Sequence, residues 1–132
     1  MVQTQSPTTE GYGEIGKHMA GEAATPVKSV TGIMTSCTAS EAQTASGITK
    51  ATNGLGLVNA DTVASAKITV INDTVQVDHK FTASGSVTVK GFGILNDDDD
   101  VLFMICCFNA DIPMENGDTL TVQGKLQFKL GS

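Results

Sequence analysis

The amino-acid sequence predicts an all-β protein, an antiparallel β-sandwich of the jelly-roll or immunoglobulin-like type. Several segments alternate apolar and polar residues with a period of two, which is the pattern of half-buried strands. Turn-forming residues separate these segments, and no segment has a convincing amphipathic helical pattern, so at most a short helix is expected. The 132 residues match the size of one domain and suffice to bury a core.

The clearest strand patterns lie in the second half of the chain. Residues 74–82 alternate strictly, and their apolar face includes His79. Residues 86–95 predict another strand, bulged at 91–93, where the apolar residues change sides. Residues 119–130 alternate throughout and predict a long last strand. Its core-facing side chains are predicted to be Leu120, Val122, Leu126, Phe128 and Leu130.

Weaker patterns precede these strands. Residues 27–34 and 67–71 favour strands, and residues 54–60 favour a short strand or a turn. Residues 35–53 are rich in Ser, Thr and Ala, which predicts a long surface loop with a short helix around 40–45.

Residues 101–108 are apolar at every position, although an antiparallel sheet normally has one solvated face. We expect the outer face of this strand to be covered either by the N-terminal segment or by another subunit. Among the sequence patterns, this one is the best indication of assembly. A loop is predicted to follow at 109–118, with a turn signal at 116–118.

The first 26 residues are polar and rich in glycine. They predict an extended N-terminal arm, residues 1–26, followed by a sandwich domain, residues 27–132. One or two helical turns are expected at most within 14–22, because Gly16 and Gly21 disfavour a helix.

The charge pattern excludes several classes of partner. The formal net charge is −6 and the sequence contains no arginine. Nucleic-acid binding requires a concentrated cationic patch, which 8 lysines scattered among 14 acidic residues do not form. An anionic membrane surface is disfavoured for the same reason. The sequence also lacks a long apolar run and the pattern of a signal peptide.

The three cysteines, Cys37, Cys106 and Cys107, are odd in number and have no framework spacing. We therefore expect free thiols and a protein that is made and assembled in a reducing cytoplasm. Because Cys106 and Cys107 are adjacent in a predicted strand, their side chains should point to opposite faces. Both are interpreted as small buried hydrophobic residues.

No motif predicts catalysis or a cofactor, so we expect a non-enzymatic protein. His79 lies on an apolar strand face and His18 in the N-terminal segment, and neither has the spacing of a metal ligand. The only weak candidates for metal ligands, with Ca²⁺ as the ion, are Asp97, Asp98, Asp99 and Asp100. A solvated loop is the favoured interpretation of this run, because it lacks the spaced ligands and the glycine of an EF-hand loop.

Four short blocks follow one another in the C-terminal half. They are His79-Lys80-Phe81-Thr82-Ala83, Val87-Thr88-Val89-Lys90-Gly91-Phe92-Gly93-Ile94-Leu95-Asn96, Val101-Leu102-Phe103 and Asn116-Gly117-Asp118-Thr119-Leu120-Thr121-Val122. This ordered series resembles a family of small structural proteins of tailed bacteriophages, often labelled tail-fibre or hypothetical virion proteins. The segment Ile15-Gly16-Lys17-His18-Met19 is similar to that family more loosely.

The resemblance implies a virion component without enzymatic activity, and it carries over no catalytic or ligand-binding residue. We expect a capsid decoration or cement protein that binds the major capsid protein in many copies, because the chain is compact and has no shaft repeat. A homo-oligomer is expected as well. A tail or tail-fibre, receptor-binding protein that contacts other tail proteins is the first alternative. A carbohydrate-binding β-sandwich module is the second.

Overall fold

The computed structural model describes residues 3–25, 27–33, 36–48, 57–58, 65–68, 74–96, 98 and 100–127. These residues form two antiparallel sheets and one short α-helix, which confirms the predicted all-β sandwich class. In chain order the elements are β1 (Gln3–Pro7), α1 (Thr9–Ala20), β2 (Val27–Ile33), a 3₁₀ turn (Ala45–Gly47), β3 (Leu57–Val58), β4 (Ser65–Ile68), β5 (Thr74–Ala83), β6 (Val87–Asn96), β7 (Leu102–Met114) and β8 (Thr119–Gln127).

The two sheets differ in which strands lie in the middle. The first sheet has the strand order β1-β7-β6-β2, so that β7 and β6 are central. The second is built on β5, which pairs with β3 and β4 along one edge and with β8 along the other. The β6–β7 register shifts between Val89 and Gly91, next to the bulge predicted at 91–93.

The main core lies between the sheets, where β5 buries its alternating apolar side chains. Val122 of β8 is buried in the same cluster, and Leu120 and Leu126 are half-buried against it. The predicted facing of β8 is therefore confirmed for these three residues. Phe128 and Leu130, which were predicted to continue the pattern, lie outside the described residues.

Strand β7 is longer than the sequence predicted. It continues to Met114, whose buried side chain lies opposite Val87 of β6, so a loop starting at residue 109 is wrong. Pairing with β6 extends the strand through residues whose own pattern favours a loop. The turn itself falls where it was predicted, and Gly117 there adopts φ 93°, a conformation that glycine allows at little cost.

The outer face of β7 is covered by the chain itself. Leu102, Ile105 and Cys107 point away from the main core and belong to a second buried cluster. Residues 36–48, which we call the cover segment, pack on this cluster. Their contributions are Cys37, Ala39, Ala45 and Ile48. The expected cover was the N-terminal segment or another subunit. Helix α1 of the N-terminal segment does pack on β7 beside the cover segment, so the first expectation is confirmed in part. Since the chain covers this face itself, the strand is no longer an argument for assembly.

The N-terminal residues are part of the sandwich. Strand β1 pairs along the edge of β7, from Gln3 opposite Phe108 to Pro7 opposite Met104. Helix α1 follows and contacts the same strand. A separate arm over residues 1–26 is therefore wrong for the described part of that segment, and the helix is longer than the one or two turns predicted.

Tertiary contacts hold α1 in place despite its glycines. The helix is capped by Thr8, whose Oγ1 accepts a hydrogen bond from Gly11 N at 3.0 Å and donates one to the carbonyl oxygen of Leu102. Gly11 allows the helix to approach the sheet closely, because an added Cβ would lie 2.6 Å from the Cα of Phe103. The Thr8 hydroxyl and the absence of a side chain at Gly11 are thus two of the features that dock α1 on the sheet. Within the described residues, no helix has the length and apolar character needed to cross a bilayer.

Candidate functional sites

A disulfide joins the cover segment to the centre of the first sheet. Cys37 and Cys107 are bonded, with their Cα atoms 5.6 Å apart and 70 residues between them in sequence. The prediction of free thiols is therefore wrong for these two residues. The odd number of cysteines only requires that one remain unpaired, and the partner of Cys37 is set by the fold of the cover segment over β7.

Cys106 is the remaining free thiol among the described residues. It faces the main core while Cys107 faces the cover segment, which confirms that the two side chains point to opposite faces of the strand. Cys106 is fully buried, and burial raises the pKa of its thiol to about 11. The thiol is therefore protonated at neutral pH and is a poor nucleophile.

The acidic loop between β6 and β7 is organised by one buried amide. Asn96 is 1% exposed, and its Oδ1 accepts hydrogen bonds from the backbone N–H groups of Asp100 (3.0 Å) and Val101 (3.1 Å). Its Nδ2 donates to Asp100 Oδ1 at 2.6 Å, and Asp98 Oδ2 accepts from Thr25 Oγ1 at 2.9 Å. The two described carboxylates of the loop are thus hydrogen-bonded to protein donors. Asp97 and Asp99 lie outside the described residues.

A shallow cavity of about 420 Å³ lies beside this loop and is bordered by Glu14 and Asp100. Glu14 is 6% exposed; its Oε1 accepts from the backbone N–H of Thr25 at 2.9 Å, and its Oε2 lies 3.8 Å from Lys17 Nζ. Within the described parts of the chain, no group of three or more His, Cys, Asp or Glu side chains is arranged to hold a metal ion. The Glu14 carboxylate joins the middle of α1 to the loop before β2, whereas the Asp100 carboxylate is bound by Asn96 within the acidic loop.

The two histidines lie in different elements. His79 is half-buried on β5, with its ring 4.7 Å from that of Phe81 in an edge-to-face contact, as expected for a histidine on an apolar face. His18 is exposed near the end of α1, where its Nε2 lies 3.2 Å from the carbonyl oxygen of Thr25.

A groove of about 590 Å³ opens between strands β1 and β8, and we call it the β8 groove. Its apolar lining consists of Pro7, Tyr12, Ile15, Phe103, Met104 and Leu126. Lys125 is the one charged residue among the described lining residues. Tyr12 is 57% exposed at the rim of the groove. Met19, about two helical turns further along α1, is 85% exposed. Sequence patterns did not reveal this groove, because its walls come from four elements that meet only in the folded chain.

Fold and surface together define a class of protein, a disulfide-linked antiparallel β-sandwich with one helix docked on its first sheet and an apolar groove beside an edge strand. Comparison of the chain with protein-family models, with curated proteins and with solved structures gave no match.

Proposed function

We propose that this protein is a non-enzymatic structural component of a tailed-bacteriophage virion, most specifically a decoration or cement protein that stabilises the head lattice. The observation that carries the proposal is the ordered series of four sequence blocks. Residues 79–83 end β5, residues 87–96 are the whole of β6, residues 101–103 lead into β7, and residues 116–122 form the turn and the start of β8. The blocks thus fall on or next to the central strands of both sheets, β5, β6 and β7, and on β8.

The surface chemistry supports a protein partner. The net charge of −6 without arginine disfavours nucleic acid and anionic membranes, and it keeps a free subunit soluble before it reaches its site. The β8 groove adds a concave apolar surface of the kind that marks sites of protein interaction. The predicted N-terminal arm does not contribute to this partner surface as a free segment, because residues 3–7 are a strand of the first sheet.

One observation favours a second candidate, the carbohydrate-binding module. Tyr12 is an exposed aromatic side chain at the rim of a groove, and amphipathic aromatic rings suit binding surfaces. The other aromatic side chain of the described groove lining, Phe103, is 3% exposed and belongs to the wall. A single ring is a small platform for a sugar, so a protein partner remains the favoured proposal.

The test is reconstitution with virion particles that lack the protein. Purified protein is mixed separately with such heads and with isolated tails, and each mixture is sedimented. We expect saturable binding to heads in many copies and an increase in the temperature at which heads release DNA, because a ligand of the assembled lattice stabilises it. Binding to tails alone would support the tail alternative, and binding to neither, with recognition of immobilised glycans, would favour the carbohydrate module.

A further inference from the structure

We propose that the β8 groove is a docking site for an extended polypeptide segment of the partner, which adds to the second sheet as a strand next to β8. This inference rests on the proposed function in that the partner is taken to be another virion protein. It goes further by naming the surface, the binding mode and the chemistry of the segment that binds.

The first argument is the edge of β8 that faces away from β5, where none of the other described strands pairs with it. Among the described residues β8 pairs only with β5, through an unbroken register from Thr82 opposite Thr119 to Val75 opposite Leu126. Antiparallel pairing uses the N–H and C=O groups of alternate residues, so the intervening groups of β8 point away from β5. An edge of this kind is a template for another strand.

The second argument is the space beside that edge. Gly124 lies against the Ile94 side chain of β6, which places β8 above β6 in the sandwich. A strand added to β8 would lie about 4.8 Å further out, above β7 and β1. The walls of the β8 groove at that place are Phe103 and Met104 of β7 and Pro7 of β1. Among the described residues no strand occupies this place, so one more strand of the second sheet fits there over the first.

The third argument is the chemistry of the two faces that the added strand would meet. On the inner side its neighbours are Leu126, Phe103 and Met104, which favour apolar side chains. On the outer side it would lie beside Lys125, the one charged residue of the described lining. Since side chains alternate along a strand, the segment that fits alternates apolar residues with polar ones and carries a carboxylate beside Lys125.

The experiment uses three fluorescein-labelled nine-residue peptides and fluorescence anisotropy with the full-length protein. The first peptide alternates valine with glutamate and threonine. The second has lysine in place of glutamate, and the third repeats the first with N-methyl groups on alternate residues, which block strand pairing. The protein variants are Lys125→Glu and a matched control, Lys80→Glu, which makes the same charge change on β5 outside the groove lining.

We expect the glutamate peptide to bind, and the N-methylated peptide to lose most of that binding. Lys125→Glu should weaken the glutamate peptide by about fivefold, as for the loss of one cross-strand ion pair, and should reverse the preference in favour of the lysine peptide. Lys80→Glu should change neither. Equal binding of the methylated peptide, or equal effects of the two variants, would overturn strand addition at β8.

Sedimentation of the same variants with heads separates this inference from the proposed function. Loss of head binding in Lys125→Glu but not in Lys80→Glu supports both. Retained head binding in both variants would overturn the docking site and leave the virion function intact. Failure of the unmodified protein to bind heads or tails, with peptide binding unchanged, would overturn the virion function alone.

Discussion

Breaking the Cys37–Cys107 disulfide should lower the free energy of unfolding substantially. The bond closes a loop of about 70 residues. For that length the chain-entropy relation gives about 15 cal/mol/K, which corresponds to about 4.4 kcal/mol at 25 °C. With an unfolding entropy of about 2.1 cal/mol/K per residue over 132 residues, this equals a decrease of about 16 °C in Tm.

The assay is thermal and urea unfolding of the unmodified protein, with and without dithiothreitol, beside two variants. Cys37→Ser removes the disulfide, so its Tm should match that of the reduced protein and should not respond to reductant. Cys106→Ala keeps the disulfide and should remain sensitive to reductant, because Cys106 takes no part in the bond. A small separate loss of stability is expected in this variant from the shortened core side chain.

A thiol count decides whether the bond is present before any stability is measured. The unreduced chain, unfolded in guanidinium, should react with one equivalent of Ellman's reagent through Cys106, whereas the native protein should react slowly because that thiol is buried. Three equivalents from the unreduced unfolded chain, or the same Tm with and without reductant, would refute the reasoning.

Three further predictions concern the helix and the acidic loop. Gly11→Ala should destabilise the protein by about 1–3 kcal/mol in urea unfolding, because its Cβ meets the Phe103 backbone, whereas Gly16→Ala, with open space around it, should stabilise by about 1 kcal/mol. If both variants stabilise, the close approach of α1 is wrong. Thr8→Val should cost about 2–3 kcal/mol, since it removes the helix cap and leaves the Leu102 carbonyl without that donor; a serine replacement should restore most of the loss. Millimolar Ca²⁺ or chelator should leave the Tm unchanged, and a rise of several degrees with Ca²⁺ would show that the acidic loop binds the ion.

The sequence correctly predicted the strands in which alternation of apolar and polar residues determines which side chains are buried. In β8, Val122 is buried and Thr121 is exposed, as strict alternation requires. The alternation pattern failed where the neighbouring strand decides the outcome: residues 112–114 include a proline and follow a polar stretch, yet they pair with β6. Alternation indicates which face of a strand is buried. It does not indicate how many further residues join the strand because they pair with a neighbouring strand.

The candidate sites were less predictable because they depend on contacts between distant residues. No local signal indicates that Cys37 lies on Cys107, or that Pro7, Tyr12 and Leu126 border one groove. The sequence does contain one signal for the start of the helix, Thr8, a good capping residue directly before it, but this signal was not used in the prediction. The glycines of α1 are compatible with a helix here because the sheet supplies the stabilising contacts.

The pairing of β1 with β7 also dictates when the protein can fold. Gln3 lies opposite Phe108, so the first strand to be synthesised has its partner 105 residues later. At 5–20 residues per second, a ribosome needs about 5–20 s to bridge that interval. During these seconds β1 and α1 lack β7, the strand against which both of them pack. The N-terminal edge of the first sheet therefore cannot form before β7 has been synthesised, and folding is completed only when most of the chain has been translated.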